Sequence, residues 1–158
     1  MTARTKALFF CFSLFAATFP ATAKATVGLE IGEVDFDAYT VEIILESSQP
    51  VRGFQFDVTG FTISGISGGL AEEAGFDVFF SETRILGFSM EGNSVPHTDG
   101  VLLMITFAEI TGSEGCLENM ILAGPGGQPL EVLEGECVSL EQETTRFIRG
   151  DANDDSQV

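Results

Sequence analysis

The chain has 158 residues, with 24 Asp and Glu against seven Lys and Arg, for a formal net charge of −17. Like-charge repulsion makes so acidic a chain a poor partner for nucleic acid or an anionic membrane surface, since both are polyanions. The length suits one domain with a sizeable core.

The N-terminus reads as an export signal. Arg4 and Lys6 stand in a stretch without acids, and Ala7 to Phe19 is an apolar run of 13 residues broken only by Ser13 and Thr18. Pro20 precedes two overlapping small-x-small sites, Ala21-Thr22-Ala23 and Ala23-Lys24-Ala25. A positive flank, a short apolar run and a small-residue site make residues 1–25 a signal peptide. The run is too short to cross a bilayer core of about 30 Å as a helix, so no membrane insertion is expected after cleavage. Cys11 follows Phe9 and Phe10 and lacks the small residue that a lipoprotein-type site needs before its cysteine. The expected location is outside the cell, free or at the surface. Cleavage after Ala23 leaves 24 acids and five bases over 135 residues, a net charge of −19. That balance fits a soluble exported protein, a cation-rich medium or a basic partner surface.

From Thr26 onward the hydrophobic period is two. Val27, Leu29 and Ile31 alternate along Thr26 to Val34, and Tyr39, Val41, Ile43 and Leu45 share a face opposite Glu42. Gly53 to Thr59 places Phe54, Phe56 and Val58 on one face and Gln55, Asp57 and Thr59 on the other, the pattern of a half-buried strand. Gly65 to Gly69 reads as a small-residue loop, and Leu70 to Gly75 as a helix of a turn or two. Phe76 to Phe80 and Arg84 to Met90 read as strands, the second putting Leu86, Phe88 and Met90 together. Val101 to Phe107 is apolar on both faces, as a central strand in a two-layer core would be. Cys116 to Leu122, Leu130 to Leu133 and Cys137 to Leu140 complete the set.

Turn chemistry separates these runs at Ser47-Ser48-Gln49-Pro50, Glu91 to Pro96, Thr98-Asp99-Gly100, Gly124 to Pro129 and Glu134-Gly135-Glu136. Glycine supplies positive φ there and proline pre-sets the turn. About nine short strands at regular spacing predict an all-β protein, a β-sandwich of jelly-roll type. Most phenylalanines after the signal fall at positions that read as core, such as Phe54, Phe56, Phe88 and Phe107.

Cys116 and Cys137 are the two cysteines left after the signal, and in an exported chain they are expected to form a disulfide. Closing that loop of about 20 residues contributes roughly 3 kcal/mol in the chain-entropy model. A metal site is a poor alternative because no histidine or second cysteine pair sits nearby.

Catalytic chemistry finds no support. The single histidine, His97, lies in a loop beside Asp99, and no serine sits in a nucleophile-elbow pattern. No glycine-rich phosphate loop opens a helix. Neighbouring carboxylates such as Glu72 and Glu73, or Glu141 and Glu143, are what an acidic surface provides and carry no specific acid–base signal. The chain is read as a non-enzyme. It holds no Trp and a single Tyr, Tyr39, so the aromatic platform on which sugars commonly stack is nearly absent. That favours a protein partner over a polysaccharide.

The C-terminus carries the most specific local pattern. In Gly150-Asp151-Ala152-Asn153-Asp154-Asp155, oxygen ligands at Asp151, Asn153 and Asp155 take positions 1, 3 and 5 of a calcium loop, with Val158 at position 8. Alternate residues of a tight loop point inward, as an ion needing six to eight oxygens requires. Ser156 stands where glycine is usual, and the sequence ends before position 12, so the loop is incomplete and calcium is a cofactor only to that extent.

Gly-Asp-x-Asn-x-Asp at Gly150 to Asp155 is similar to the opening of a type I dockerin repeat. The preceding domain resembles a cohesin. The resemblance rests on Val51-Arg52-Gly53-Phe54-Gln55-Phe56-Asp57-Val58, on Arg84-Ile85-Leu86-Gly87-Phe88-Ser89, and on Gly100-Val101-Leu102-Leu103-Met104-Ile105-Thr106-Phe107. It implies a cohesin-like sandwich over 26–142, related to carbohydrate-binding modules, then a linker at 143–149 and a dockerin-like calcium loop at 150–158. It further implies assembly of polysaccharide-handling proteins outside the cell, with a dockerin-type domain docking on one sheet face. The alternatives are a carbohydrate-binding module and a structural surface or matrix domain. Alternation alone offers Gln55, Asp57 and Thr59 as candidates for the docking face.

Overall fold

The structure is a computed structural model that describes residues 26–141. The expected signal peptide (1–25), the linker (143–149) and the calcium-loop residues Asp151, Asn153 and Asp155 lie outside the described residues.

In chain order the elements are β1 (Thr26–Asp35), β2 (Thr40–Ser47), β3 (Gly53–Thr59), β4 (Phe61–Ser67), α1 (Gly69–Glu73), β5 (Asp77–Phe80), β6 (Arg84–Phe88), β7 (Asp99–Ile110), β8 (Glu114–Ala123), β9 (Glu131–Glu134) and β10 (Val138–Ser139). They form two five-stranded sheets, β4-β7-β2-β1-β9 and β10-β8-β3-β6-β5. The sheets close over one core, in which Val27, Leu29, Val41, Ile43, Leu45, Phe54, Phe56, Val58, Ile85, Leu103 and Ile105 are buried. Strands alternate because successive side chains leave a pleated backbone on opposite faces, so a strand wet on one side needs apolar residues only at every second position. β3 shows this fully: Phe54, Phe56 and Val58 are buried, while Gln55, Asp57 and Thr59 are half-buried on the outer face. Stacked rings reinforce the interior, with Phe54 5.8 Å from Phe76 and 6.0 Å from Phe56.

Two glycines make this packing possible. Gly60, at φ 90°, is the single residue between β3 and β4, where the chain crosses from one sheet to the other. A Cβ there would stand 2.1 Å from the Glu114 carbonyl oxygen. Gly87 on β6 lies opposite Phe54, and a Cβ there would stand 2.1 Å from the ring atom Cζ of Phe54. The phenylalanine ring rests on bare backbone, an approach only glycine permits.

Several expectations need correction. The expected small-residue loop at Gly65 to Gly69 is half strand: Gly65, Ile66 and Ser67 pair with Thr106, Ile105 and Met104 of β7. With β4 included there are ten strands, in keeping with the about nine expected. Tyr39 does not extend β2. It sits at φ 57° in the β1–β2 turn, 55% exposed, with its ring edge-on to Phe107. Arg84 to Met90 faces the opposite way from the expectation: Ile85 is buried, whereas Leu86 and Met90 are exposed and Phe88 is half-buried. Register decides this, because Leu86 lies opposite Gln55 and Ile85 opposite Phe56. β7 is apolar on both faces because α1 packs on it, with Gly69 against the Leu102 backbone.

Cys116 on β8 and Cys137 just before β10 are joined in a disulfide, with Cα atoms 4.5 Å apart. The segment between them does not return as a simple hairpin. After the tight turn at Pro125–Gly127, β9 crosses to the other sheet and pairs in parallel with β1 before the chain comes back to β8 as β10. The last strands therefore border both sheets, and Leu140, 4% exposed, anchors the end against Phe61 and Gly115.

Candidate functional site

The outer faces of the two sheets differ in chemistry. On the β4-β7-β2-β1-β9 sheet, Asp99 pairs with Glu46, and Glu46 with Gly28. Glu30 and Glu42 lie on the same face, which is acidic. A cavity of about 460 Å³ opens beside it, lined by Thr26, Gly28, Glu46, Asp99, Leu133 and Glu134 among others, and no aromatic ring lines it.

On the other sheet, register assembles an apolar row. Phe79 of β5 lies opposite Leu86 of β6, Leu86 opposite Gln55 of β3, and Gln55 opposite Ile121 of β8. Phe79, Leu86 and Ile121 are 56%, 38% and 59% exposed, although each belongs to a residue type that folding usually buries. In the adjacent row Phe88 stacks on Phe79, with ring centroids 5.7 Å apart, and Gly53 and Ala123 continue the row at low relief. Exposed apolar side chains gathered in this way on an otherwise charged domain make this face a candidate interaction site.

A fixed polar cluster borders the strip. Arg84 donates from Nε and Nη2 to the two carboxylate oxygens of Asp57, at 2.5 and 2.8 Å. Asn119 donates from Nδ2 to the same carboxylate at 2.9 Å. Asn119 reaches it because β8 bulges: Gln55 is opposite Ile121 but Asp57 is opposite Glu118, so β8 spends one extra residue there, and Asn119 takes φ 49°. A bulge re-aims a side chain in this way. The Arg84 hydrogen bonds first, then that of Asn119, hold the Asp57 carboxyl at about 2, below its ordinary 3.8. Asp57 thus stays ionised and its partners stay in place.

Of the residues offered by alternation, Gln55 lies in the middle of the apolar row, Asp57 is the hub of the polar cluster, and Thr59 lies at the corner leading to Gly60. Phe79, Leu86 and Ile121 were missed. The signal that would have found them is cross-strand register, which sequence periodicity does not supply. His97 is exposed and has no side-chain hydrogen bond among the described residues. No group of three His, Cys, Asp or Glu poised for a metal occurs among the described residues.

Two facing sheets, with a chain that changes sheet at Gly60 and again around β9, make a β-sandwich. Two solved cohesins share the fold. One, from the CaDoc0917–CaCohA2 complex, has a TM-score of 0.52 at 16% identity, with 73% of this chain and 99% of that cohesin covered. The other, a non-cellulosomal cohesin from the hyperthermophilic archaeon Archaeoglobus fulgidus, has a TM-score of 0.50 at 13% identity, with 80% and 98% covered. Neither a family model nor a curated protein matches the chain.

Proposed function

We propose that this is a secreted, non-catalytic docking module whose β10-β8-β3-β6-β5 face binds a protein partner of dockerin type in a polysaccharide-handling assembly. The observation that carries the reading is the exposed row Phe79, Leu86 and Ile121 around Gln55, on an outer face where the acids Asp57, Asp77 and Glu118 flank the apolar side chains. Apolar side chains at the centre of a patch, edged by polar groups already fixed in geometry, are what a protein interface needs. The shared fold of a cohesin solved in a complex with a dockerin supports the choice of partner. The aromatic-free lining of the cavity beside the acidic sheet is a weak platform for a sugar ring, which supports protein over glycan. In this reading residues 26–142 form the module, 143–149 a linker, and Asp151, Asn153 and Asp155 begin a calcium loop of a second, dockerin-like segment.

Calorimetric titration of the exported chain against a panel of dockerins in calcium tests the proposal, alongside a pull-down on insoluble glycans. Binding to at least one dockerin is expected. Ile121→Ser combined with Leu86→Ser should weaken it at least tenfold, as loss of central interface anchors does, while Glu46→Gln on the opposite face leaves it unchanged. Silence across the panel, or retention on glycan alone, would overturn the reading.

A further inference from the structure

The sandwich is left open along one side, where the edge strands β4 and β5 of opposite sheets run without pairing to each other. The two are joined at one end by the Ile63 N–H, which donates to the Glu82 carbonyl at 2.8 Å. Beyond that bond a groove of about 190 Å³ opens, lined by Ile66, Phe76, Val78, Phe80 and Leu103, with Glu72 of α1 at its margin.

Two features set this groove apart from a closed sheet edge. The Ser81 N–H donates to the Arg84 carbonyl, so Ser81 and Arg84 are a hydrogen-bonded pair. Such pairs alternate along an antiparallel ladder. Phe79 and Asp77 therefore bond to β6, while the N–H and C=O groups of Val78 and Phe80 face away from it, toward the open edge. The side chain of Phe80 lies on the inner side, opposite buried Ile85, yet it is 46% exposed. An inward phenylalanine half in water lacks the neighbour that a complete sandwich would give it.

We infer that this groove takes an extended peptide as an added strand beside β5, a basic segment with large apolar side chains at alternate positions. Backbone pairing with Val78 and Phe80 supplies affinity, and an apolar side chain covering Phe80 supplies selection. The volume is too small for a drug-sized ligand, whose pockets run to about 300–1,000 Å³, and suits a single large side chain. Charge favours a basic occupant: Glu72 lines the groove, no cation does, and the domain around it is strongly acidic. A second copy of the chain is disfavoured, because residues 26–141 hold 20 acids against Arg52 and Arg84 and two such edges repel. This site uses the free edge and inner side of β5, whereas the face proposed above is the outer side of the same sheet, and it does not depend on that reading.

The probe is an acetylated peptide, Lys-Thr-Val-Thr-Phe-Thr-Lys, added to the exported chain at millimolar concentration while amide hydrogen exchange is followed by NMR. Exchange at the Val78 and Phe80 amides should slow at least tenfold. A version with Glu at both ends, and one N-methylated at its three central residues, should give no protection. Phe80→Ser, at an exposed position that tolerates the change, should abolish protection, whereas Leu133→Ser, elsewhere on the surface, should retain it. Unchanged exchange with the lysine peptide, equal protection by the glutamate peptide, or full protection of Phe80→Ser would each overturn the inference.

Discussion

Replacing Gly87 by Ala tests whether the core depends on a ring lying flat on bare backbone. The new Cβ would stand 2.1 Å from Cζ of Phe54 and 2.6 Å from both Cε atoms. Phe54 cannot swing away freely, because it is 2% exposed and stacked on Phe56 and Phe76. Overpacking of this sort costs about 1–3 kcal/mol. Gly→Ala at a position without positive φ offsets about 0.4–1 kcal/mol of that through the unfolded chain. The expected net loss is about 1–2 kcal/mol. Phe54→Ala alone should cost about 3–5 kcal/mol by removing a buried ring. In the double variant the clash has no ring to meet, so the two losses should fall short of their sum by at least about 1 kcal/mol. Urea unfolding of the four proteins, with the disulfide intact, measures the cycle. Additivity within about 0.5 kcal/mol, or a neutral Gly87→Ala, would refute the packing argument.

Removing the disulfide by Cys116→Ala with Cys137→Ala opens a loop of sequence separation 21 and should cost roughly 3 kcal/mol, read as a lower urea midpoint. An NMR titration of Asp57 should give a pKa of about 2, and Arg84→Ala should move it back toward 3.8. Because the folded-state value is the lower one, the stabilisation is fully present above about pH 4 and is lost as pH falls toward 2. The stability gap between the parent and Arg84→Ala should close across that interval, and a gap that persists at pH 2 would contradict the assignment.

Which parts of the molecule were readable follows from how each strand is covered. β3 was legible because its apolar and polar residues alternate without exception, so only one face can be inside. β6 was not, because Ile85 competes with Leu86 and Phe88 and both faces read as apolar. Its orientation follows from the register against β3, where a one-residue slip would exchange the faces. β4 was lost among Gly65, Ser67 and Gly68, residues that usually signal a loop. Pairing along β7 overrides that local preference.

The sequence by itself determined the two-residue period, the phenylalanine-rich interior and a pair of late cysteines able to meet, because alternation and residue chemistry are local properties. Only the tertiary structure decided that Phe79, Leu86, Gln55 and Ile121 form one row, and that β4 and β5 leave a groove between them. Those residues are far apart in the chain, and what brings them together is strand order and register, which are fixed by non-local pairing.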